Sequence, residues 1–160
     1  MRSLVAALLL ALPVAARAQD VGLDVGTHAP PAAVQTLDGK PADLRQFVGK
    51  GPVLIEFWAT WCPNCRALEP QLVSVAKKYA GRVQFVGVAV SVNQSPERVK
   101  AYVAKHGLPG VQVYDGTGAA TGAYDVPATS YIVVLDRAGK VVYTGQGAEQ
   151  NLEAAIRKAF

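Results

Sequence analysis

The chain has 160 residues, of which 51% are hydrophobic, 18% charged and 8% aromatic, and its formal net charge is +4. A chain of this length and composition can bury a core of its own, which excludes wholesale disorder and predicts one domain. Of the sixteen basic residues, Arg2 and Arg17 lie near the amino terminus, and the clusters beyond them are the pairs Lys77-Lys78 and Arg157-Lys158. Both pairs fall at predicted helical positions on solvated faces, so we expect no nucleic-acid binding.

The first eighteen residues have the layout of a secretory signal peptide. Arg2 gives a positive start, positions 4–12 are uninterrupted apolar sequence, and Ala16-Arg17-Ala18 is a small-x-small cleavage site. An uncleaved membrane anchor is the alternative, but the apolar run meets Pro13 and is shorter than the roughly 20 residues that a spanning helix needs. We therefore expect cleavage after Ala18 and export of residues 19–160 to the periplasm or the medium, where disulfides persist.

Beyond the leader, the patterning predicts a hairpin, a buried strand and a long helix in turn. Positions 33–37 alternate weakly and precede the turn dipeptide Asp38-Gly39, which predicts a small β-hairpin before the main domain. The near-continuous apolar run at 52–58 predicts a strand covered on both faces. After Pro63, apolar side chains recur at three- and four-residue intervals, which predicts a helix ending near Gly81.

The second half continues the alternation of strands and helices. Ser95-Pro96 marks a helix start and Gly107 its end, because serine caps a helix and proline suits its first position. The other predicted elements are strands at 83–90 and 111–114, a weakly helical segment at 115–123, a β-hairpin at 130–143 and a helix at 151–159. This order predicts an α/β domain with a central mixed sheet of four or five strands, helices on both faces and an N-terminal β-hairpin.

The chain has two cysteines, Cys62 and Cys65, placed where a buried strand gives way to a helix. A disulfide that closes so short a loop constrains the unfolded chain little, so redox chemistry explains the pair better than stability does. At the first turn of a helix, free backbone N–H groups and the positive end of the dipole favour a thiolate. This placement predicts an exposed, attacking Cys62 and a shielded, resolving Cys65, with Pro63 at the first helical position.

Other uses of this cysteine spacing need residues that the sequence lacks. Covalent haem attachment needs a histidine after the second cysteine, where Arg66 stands. A zinc site needs two further ligands, and His28 and His106 have no partner spacing and are expected at the surface. We therefore predict no metal site and no cofactor beyond the redox-active Cys62–Cys65 pair.

Residues 53–65, with the sequence VLIEFWATWCPNC, resemble the active-site strand and helix start of the thioredoxin superfamily. Pro70 matches the proline that kinks the active-site helix of that family, and Val126-Pro127 resembles its cis-proline loop. The exported start and the hairpin at 29–40 resemble the TlpA/ResA-like branch in particular. The resemblance implies that residues 19–160 form a single thioredoxin-like domain.

The resemblance implies catalytic roles for Cys62, Cys65, Glu56 and Pro127. Cys62 would attack or be attacked, and Cys65 would resolve the mixed disulfide. Glu56 stands at the place of the family's buried carboxylate, which helps to move the proton of Cys65. Its flanking residues, Ile55 and Phe57, are apolar, which favours burial on both faces of the strand and hence a raised pKa.

Four further residues are expected to contact the substrate: Trp61, Pro63, Asn64 and Val126. Val126 and Pro127 would lie against Cys62, and the backbone there would pair with an extended substrate segment. One departure from the TlpA/ResA-like pattern is that Leu68 stands three residues after the second cysteine, where many members have glutamate, and the acid is Glu69. A role in cytochrome c maturation is therefore not carried over.

These observations predict an exported thiol–disulfide oxidoreductase, with reduction favoured over oxidation. Its expected partners are protein thiols and disulfides and a membrane thiol carrier that supplies electrons, and we expect a monomer. One alternative is a peroxiredoxin-like peroxidase, but that chemistry needs threonine three residues before the cysteine, and Thr60 stands two before Cys62. The other is a copper-binding carrier, whose related proteins space their cysteines by three residues and add a downstream histidine.

Overall fold

The computed structural model describes residues 22–160, so the predicted signal peptide at 1–18 lies outside the described residues. The strands are β1 (Ala33–Thr36), β2 (Pro41–Asp43), β3 (Val53–Trp58), β4 (Gln84–Val90), β5 (Val111–Asp115), β6 (Tyr131–Leu135) and β7 (Val141–Gln146). The helices are α1 (Pro63–Lys78), α2 (Pro96–His106), α3 (Ala119–Ala123) and α4 (Leu152–Arg157), and a 3₁₀ turn covers Leu44–Phe47. Within residues 22–160, no helix has the length and apolarity needed to cross a membrane.

All seven strands form one mixed sheet in the order β2-β1-β5-β4-β3-β6-β7. Strands β3, β4 and β5 are parallel, as their helical crossovers require, whereas β6, β7, β1 and β2 add antiparallel neighbours. The expected count of four or five strands is wrong, because the N-terminal hairpin does not stand apart from the sheet. Gln35 of β1 pairs with Tyr114 of β5, and this pairing makes the hairpin the edge of the same sheet.

The core lies on both faces of β3, as its unbroken apolar run predicts. Ile55 and Phe57 are buried on one face, where they belong to the same core cluster as residues of the 3₁₀ turn and of α3. Leu54 and Trp58 point to the opposite face, where α1, α4 and α2 supply the covering side chains. Because β3 is buried on both faces, it rigidly supports the cysteine pair and α1, which follow its carboxyl end.

The ends of α2 follow the predicted local chemistry. Ser95 caps the helix by accepting the Arg98 backbone N–H at 3.3 Å, and Pro96 is the first helical residue. Gly107 ends the helix with φ of 63°, a left-handed conformation that costs glycine little.

Gly110 is a second position where the fold requires glycine. Its φ is +77°, and an added Cβ would lie 2.1 Å from the Phe85 carbonyl oxygen. We expect Gly110→Ala to lower the free energy of unfolding by about 3 kcal/mol or more, because strain and a backbone clash add. Gly118→Ala is the matched control, since Gly118 has φ of +75° but nothing within 4 Å of its added Cβ. Urea unfolding of the two variants measures the difference, and equal losses would show that the clash is relieved without cost.

Candidate active site

Cys62 lies between β3 and α1 and caps that helix. Its backbone is extended, with φ of −78° and ψ of 115°, and Pro63 takes the first helical position as predicted. The Cys62 Sγ atom accepts the Cys65 backbone N–H at 3.1 Å. A backbone donor and the amino terminus of a helix both stabilise negative charge on sulfur, so this position favours a Cys62 thiolate.

Cys62 and Cys65 form a disulfide, with their Cα atoms 5.3 Å apart. The expected exposure of Cys62 is wrong for this disulfide form, because Cys62 is 2% exposed and Cys65 is 3% exposed. The capping geometry turns the Cys62 sulfur inward to the Cys65 N–H, where Trp58 and Ala59 belong to the same buried cluster. The exposed residues of this turn are Pro63 and Asn64, two of the predicted substrate contacts.

A groove of about 670 Å³ opens beside Trp61. Trp61 is 38% exposed, and its indole Nε1 donates to the Val92 carbonyl oxygen at 2.8 Å. The groove brings Trp61 together with Val126 and Pro127, whereas Pro63 and Asn64 are not among its lining residues. Of the described residues that line it, none is charged, so the groove suits an uncharged segment of a partner.

The peptide bond before Pro127 is trans, because no peptide bond in residues 22–160 is cis. The expected cis-proline is therefore wrong for this structure. The loop between α3 and β6, which contains Pro127, has positive φ angles at Asp125 (46°) and Ser130 (63°). Two backbone bonds hold it, from the Val126 N–H to the Thr121 carbonyl at 3.0 Å and from the Ser130 N–H to the Phe57 carbonyl at 2.9 Å. The second bond fixes the loop to β3.

Glu56 lies in the middle of β3 and is 6% exposed. Its Oε1 atom has no hydrogen-bond partner among residues 22–160. Burial raises the pKa of this carboxyl to about 8, and the charge of Glu69 adds to the rise. The predicted burial and raised pKa are confirmed, and they describe an acid that can exchange a proton near neutral pH.

A small cavity of about 10 Å³ borders Glu56, which is the room that one water molecule needs. Across the sheet, Glu56 pairs with Gly87, and Gly87 pairs with Gln112. An added Cβ at Gly87 would lie 2.0 Å from Gln112 Oε1, so the glycine makes space for the Gln112 amide. That amide oxygen accepts Trp58 Nε1 at 3.1 Å. The sequence analysis missed Gly87 and Gln112, since no local pattern links them to Glu56.

The sequence analysis also missed a cluster formed by Glu69, Tyr102 and His106, which we call the Glu69 cluster. Tyr102 donates its hydroxyl to Glu69 Oε1 at 2.5 Å, and His106 Nδ1 lies 3.0 Å from Glu69 Oε2. The Tyr102 and His106 rings stack at 3.8 Å. His106 is an exposed residue, as predicted, and its side chain is 28% exposed. The one available signal is that Glu69 lies one helical turn after Cys65.

Comparison with known proteins places this arrangement in a family. The Redoxin family profile matches residues 24–158. The chain belongs to the Redoxin family. This Redoxin is 29% identical over 138 residues to the thiol-disulfide oxidoreductase ResA of Bacillus thuringiensis (strain Al Hakam), which covers 85% of the chain and 79% of that relative.

Two solved structures have the same fold as this Redoxin. The putative thiol:disulfide interchange protein DsbE from Chlorobium tepidum has a TM-score of 0.73 and 28% identity, covering 86% of this chain and 98% of that one. A secreted Mycobacterium tuberculosis disulfide oxidoreductase, homologous to E. coli DsbE, has a TM-score of 0.67 and 26% identity over 79% of this chain and 92% of that one. The predicted thioredoxin-like fold and the ResA-like resemblance are thus confirmed.

Proposed function

We propose that this Redoxin is a thiol–disulfide oxidoreductase that exchanges disulfides with protein substrates through Cys62 and Cys65. The observation that carries the proposal is the position of the Cys62 sulfur, which caps α1 and is bonded to Cys65 one helical turn away. The ResA relative and the two structural neighbours are named for the same chemistry, which supports it.

In the reducing direction, the reaction has two steps. The Cys62 thiolate attacks one sulfur of the substrate disulfide, the other sulfur leaves as a thiolate, and a mixed disulfide forms. Cys65 then gives its thiol proton to the Glu56 carboxylate and attacks Cys62 Sγ, so that the second substrate sulfur leaves. The two electrons of the substrate's new thiols come from Cys62 and Cys65, which end as the observed disulfide.

Glu56 is the base that we assign to the second step. Its carboxyl is buried, one oxygen is unpaired within the described chain, and its pKa of about 8 allows the proton to be taken and returned near neutral pH.

The groove beside Trp61 is the proposed substrate site. Its uncharged lining, with Val126 and Pro127 on one side, fits an extended peptide segment that flanks the reacting cysteine. The Val126 N–H already donates to the Thr121 carbonyl, so a substrate backbone that pairs with this N–H has to replace that bond. Hydrogen bonds to the substrate backbone depend little on the side chains of the substrate, which suits an enzyme that acts on several proteins.

We further propose that the protein is exported, monomeric and more a reductase than an oxidase. The leader-like residues 1–18 and the secreted M. tuberculosis neighbour support export. An exported reductase needs electrons from across the membrane, and we propose a membrane thiol carrier as their donor. No other cofactor enters the scheme, because the electrons pass between sulfur atoms alone.

The reduction potential of the Cys62–Cys65 pair tests this proposal. We expect a value near or below about −250 mV on equilibration with glutathione, in the range of reducing proteins. A value near about −120 mV would overturn the reducing direction in favour of disulfide donation. The double variant Cys62→Ala/Cys65→Ala is the control and should show no transition, whereas a wild-type protein without one would overturn the exchange activity itself.

A further inference from the structure

The chain passes from β3 into α1 through a tight turn. The Cys62 backbone N–H donates to the Ala59 carbonyl at 3.1 Å, which leaves Thr60 and Trp61 as the two central residues of the turn. The turn sets the direction in which the chain enters α1. Whatever holds Thr60 and Trp61 therefore also fixes where Cys62 stands relative to Cys65.

Gln94, in the loop between β4 and α2, holds this turn with its side-chain amide. Its Oε1 atom accepts the Thr60 backbone N–H at 2.9 Å, and its Nε2 atom donates to the Val90 carbonyl at 2.5 Å. The Tyr114 hydroxyl donates to the Gln94 backbone carbonyl at 2.9 Å. Gln94 is thus bonded to the carboxyl-terminal ends of β4 and β5, and through Thr60 it connects the turn to both strands.

The same loop holds the second central residue of the turn. The Trp61 indole N–H donates to the Val92 carbonyl at 2.8 Å. The Val92 residue is 57% exposed, so the loop meets Trp61 with a backbone oxygen and not by burying an apolar side chain. Between the two contacts stands Asn93, whose left-handed φ of 54° is a conformation that asparagine adopts more readily than most residues. The loop therefore makes one separate hydrogen bond with each central residue of the turn.

The position of Cys62 relative to Cys65 controls how favourable their disulfide is. A disulfide needs Cα atoms about 4.4 to 6.8 Å apart, and here they are 5.3 Å apart. A dithiol that is already held near this geometry loses little conformational freedom when the S–S bond forms, so the effective concentration of one thiol at the other is high. If the turn were free, the reduced protein would gain conformations with the two sulfurs apart, and the disulfide would become less favourable.

We propose that Gln94 is a positioning residue for the redox pair: it holds the turn before Cys62, favours the disulfide over the dithiol and so makes the protein a stronger reductant. The inference rests on the proposed function, in which the pair gives two electrons to a substrate disulfide. With glutathione, the protein dithiol and one oxidised glutathione yield the protein disulfide and two reduced glutathiones, so atoms and electrons balance. Within residues 22–160, Gln94 makes no hydrogen bond to either sulfur, so it acts through Thr60.

The test is the reduction potential of Gln94→Met, measured by equilibrating the complete protein with reduced and oxidised glutathione. Methionine has a similar length, but its thioether has no N–H and is only a weak acceptor, so both bonds of the amide are lost. We expect the equilibrium constant to move about tenfold towards the dithiol, which makes the potential about 30 mV less negative.

Gln71→Met is the matched control, because Gln71 has the same bonding pattern but joins α1 to the start of α4. Its Oε1 atom accepts the Leu152 backbone N–H at 2.5 Å, and its Nε2 atom donates to the Gln150 carbonyl at 2.8 Å. Both glutamines are half-buried, so the two variants should lose comparable free energy of unfolding. Only Gln94→Met should change the potential, because a contact that stabilises the reduced and the oxidised protein equally cancels in the potential.

An unchanged potential in Gln94→Met, or an equal change in Gln71→Met, would overturn the inference. If Gln94→Met does not fold, hydrogen exchange of the Thr60 amide in the wild-type protein decides. Protection in both the reduced and the oxidised protein is the expected result, and exchange as fast as that of an unstructured amide in the reduced protein would overturn the positioning role. A wild-type protein with no glutathione-dependent transition would instead overturn the proposed function, so the two failures are distinct.

Discussion

Replacement of Glu56 by glutamine is expected to stabilise the oxidised protein by about 3 kcal/mol at pH 7. The carboxyl has a pKa of about 8 in the fold against 4.5 for the free group. Between these values the unfolded chain has lost the proton that the folded chain keeps, so wild-type stability falls as pH rises from 4.5 to about 8. Glutamine has no carboxyl to titrate, so the substitution removes this pH dependence.

Denaturant unfolding from pH 4 to 9 measures this effect, with the expected gain small at pH 4 and largest above pH 8. Glu153→Gln is the control. Glu153 lies at the surface, where Lys78 and Arg157 lower its pKa. The loss of its carboxyl should therefore leave the fall in stability between pH 4.5 and 8 unchanged. In the same Glu56→Gln variant we expect slower release of the mixed disulfide with an unchanged first attack by Cys62. A gain in stability that is equal at pH 4 and pH 9 would contradict a buried, titrating Glu56.

The features predicted from the sequence are those that short segments determine. The apolar run around Glu56 dictates burial on both faces of β3, and burial raises the pKa of its carboxyl. The junction of strand and helix places Cys62 at a helix cap and Pro63 at the first helical position. Each of these features depends on a short run of consecutive residues, so the apolar pattern and the helix-capping preferences of the sequence are enough to predict it.

The features that the sequence did not predict depend on pairings between distant segments. The Glu69–His106 contact joins residues 37 positions apart on different helices, and no periodicity specifies it. The pairing of β1 with β5 likewise depends on a free sheet edge and on no motif. The expected exposure of Cys62 was wrong because the helix cap sets where its sulfur points, a detail of φ and ψ angles that spacing alone does not give.

Replacement of Cys65 by alanine is expected to trap the substrate on Cys62 and to lower turnover by at least about a thousandfold. The first step needs only the Cys62 thiolate, which the cap position and the helix dipole continue to stabilise, since the Cys65 backbone N–H survives the substitution. The second step needs a sulfur nucleophile one helical turn away, and Cys65 supplies it. With that sulfur gone, the mixed disulfide has no intramolecular route to release.

Mass spectrometry of Cys65→Ala, incubated with a peptide disulfide and without added thiol, should find a covalent adduct of one peptide half on Cys62. Cys62→Ala is the matched control, and it should give neither adduct nor turnover, because the remaining Cys65 lies inside α1 and lacks the cap position that stabilises a thiolate. An adduct on Cys65 in that control would reverse the assignment of attacking and resolving cysteines. The asymmetry between the two variants thus tests whether the helix cap, and not burial of the pair as a whole, selects the nucleophile.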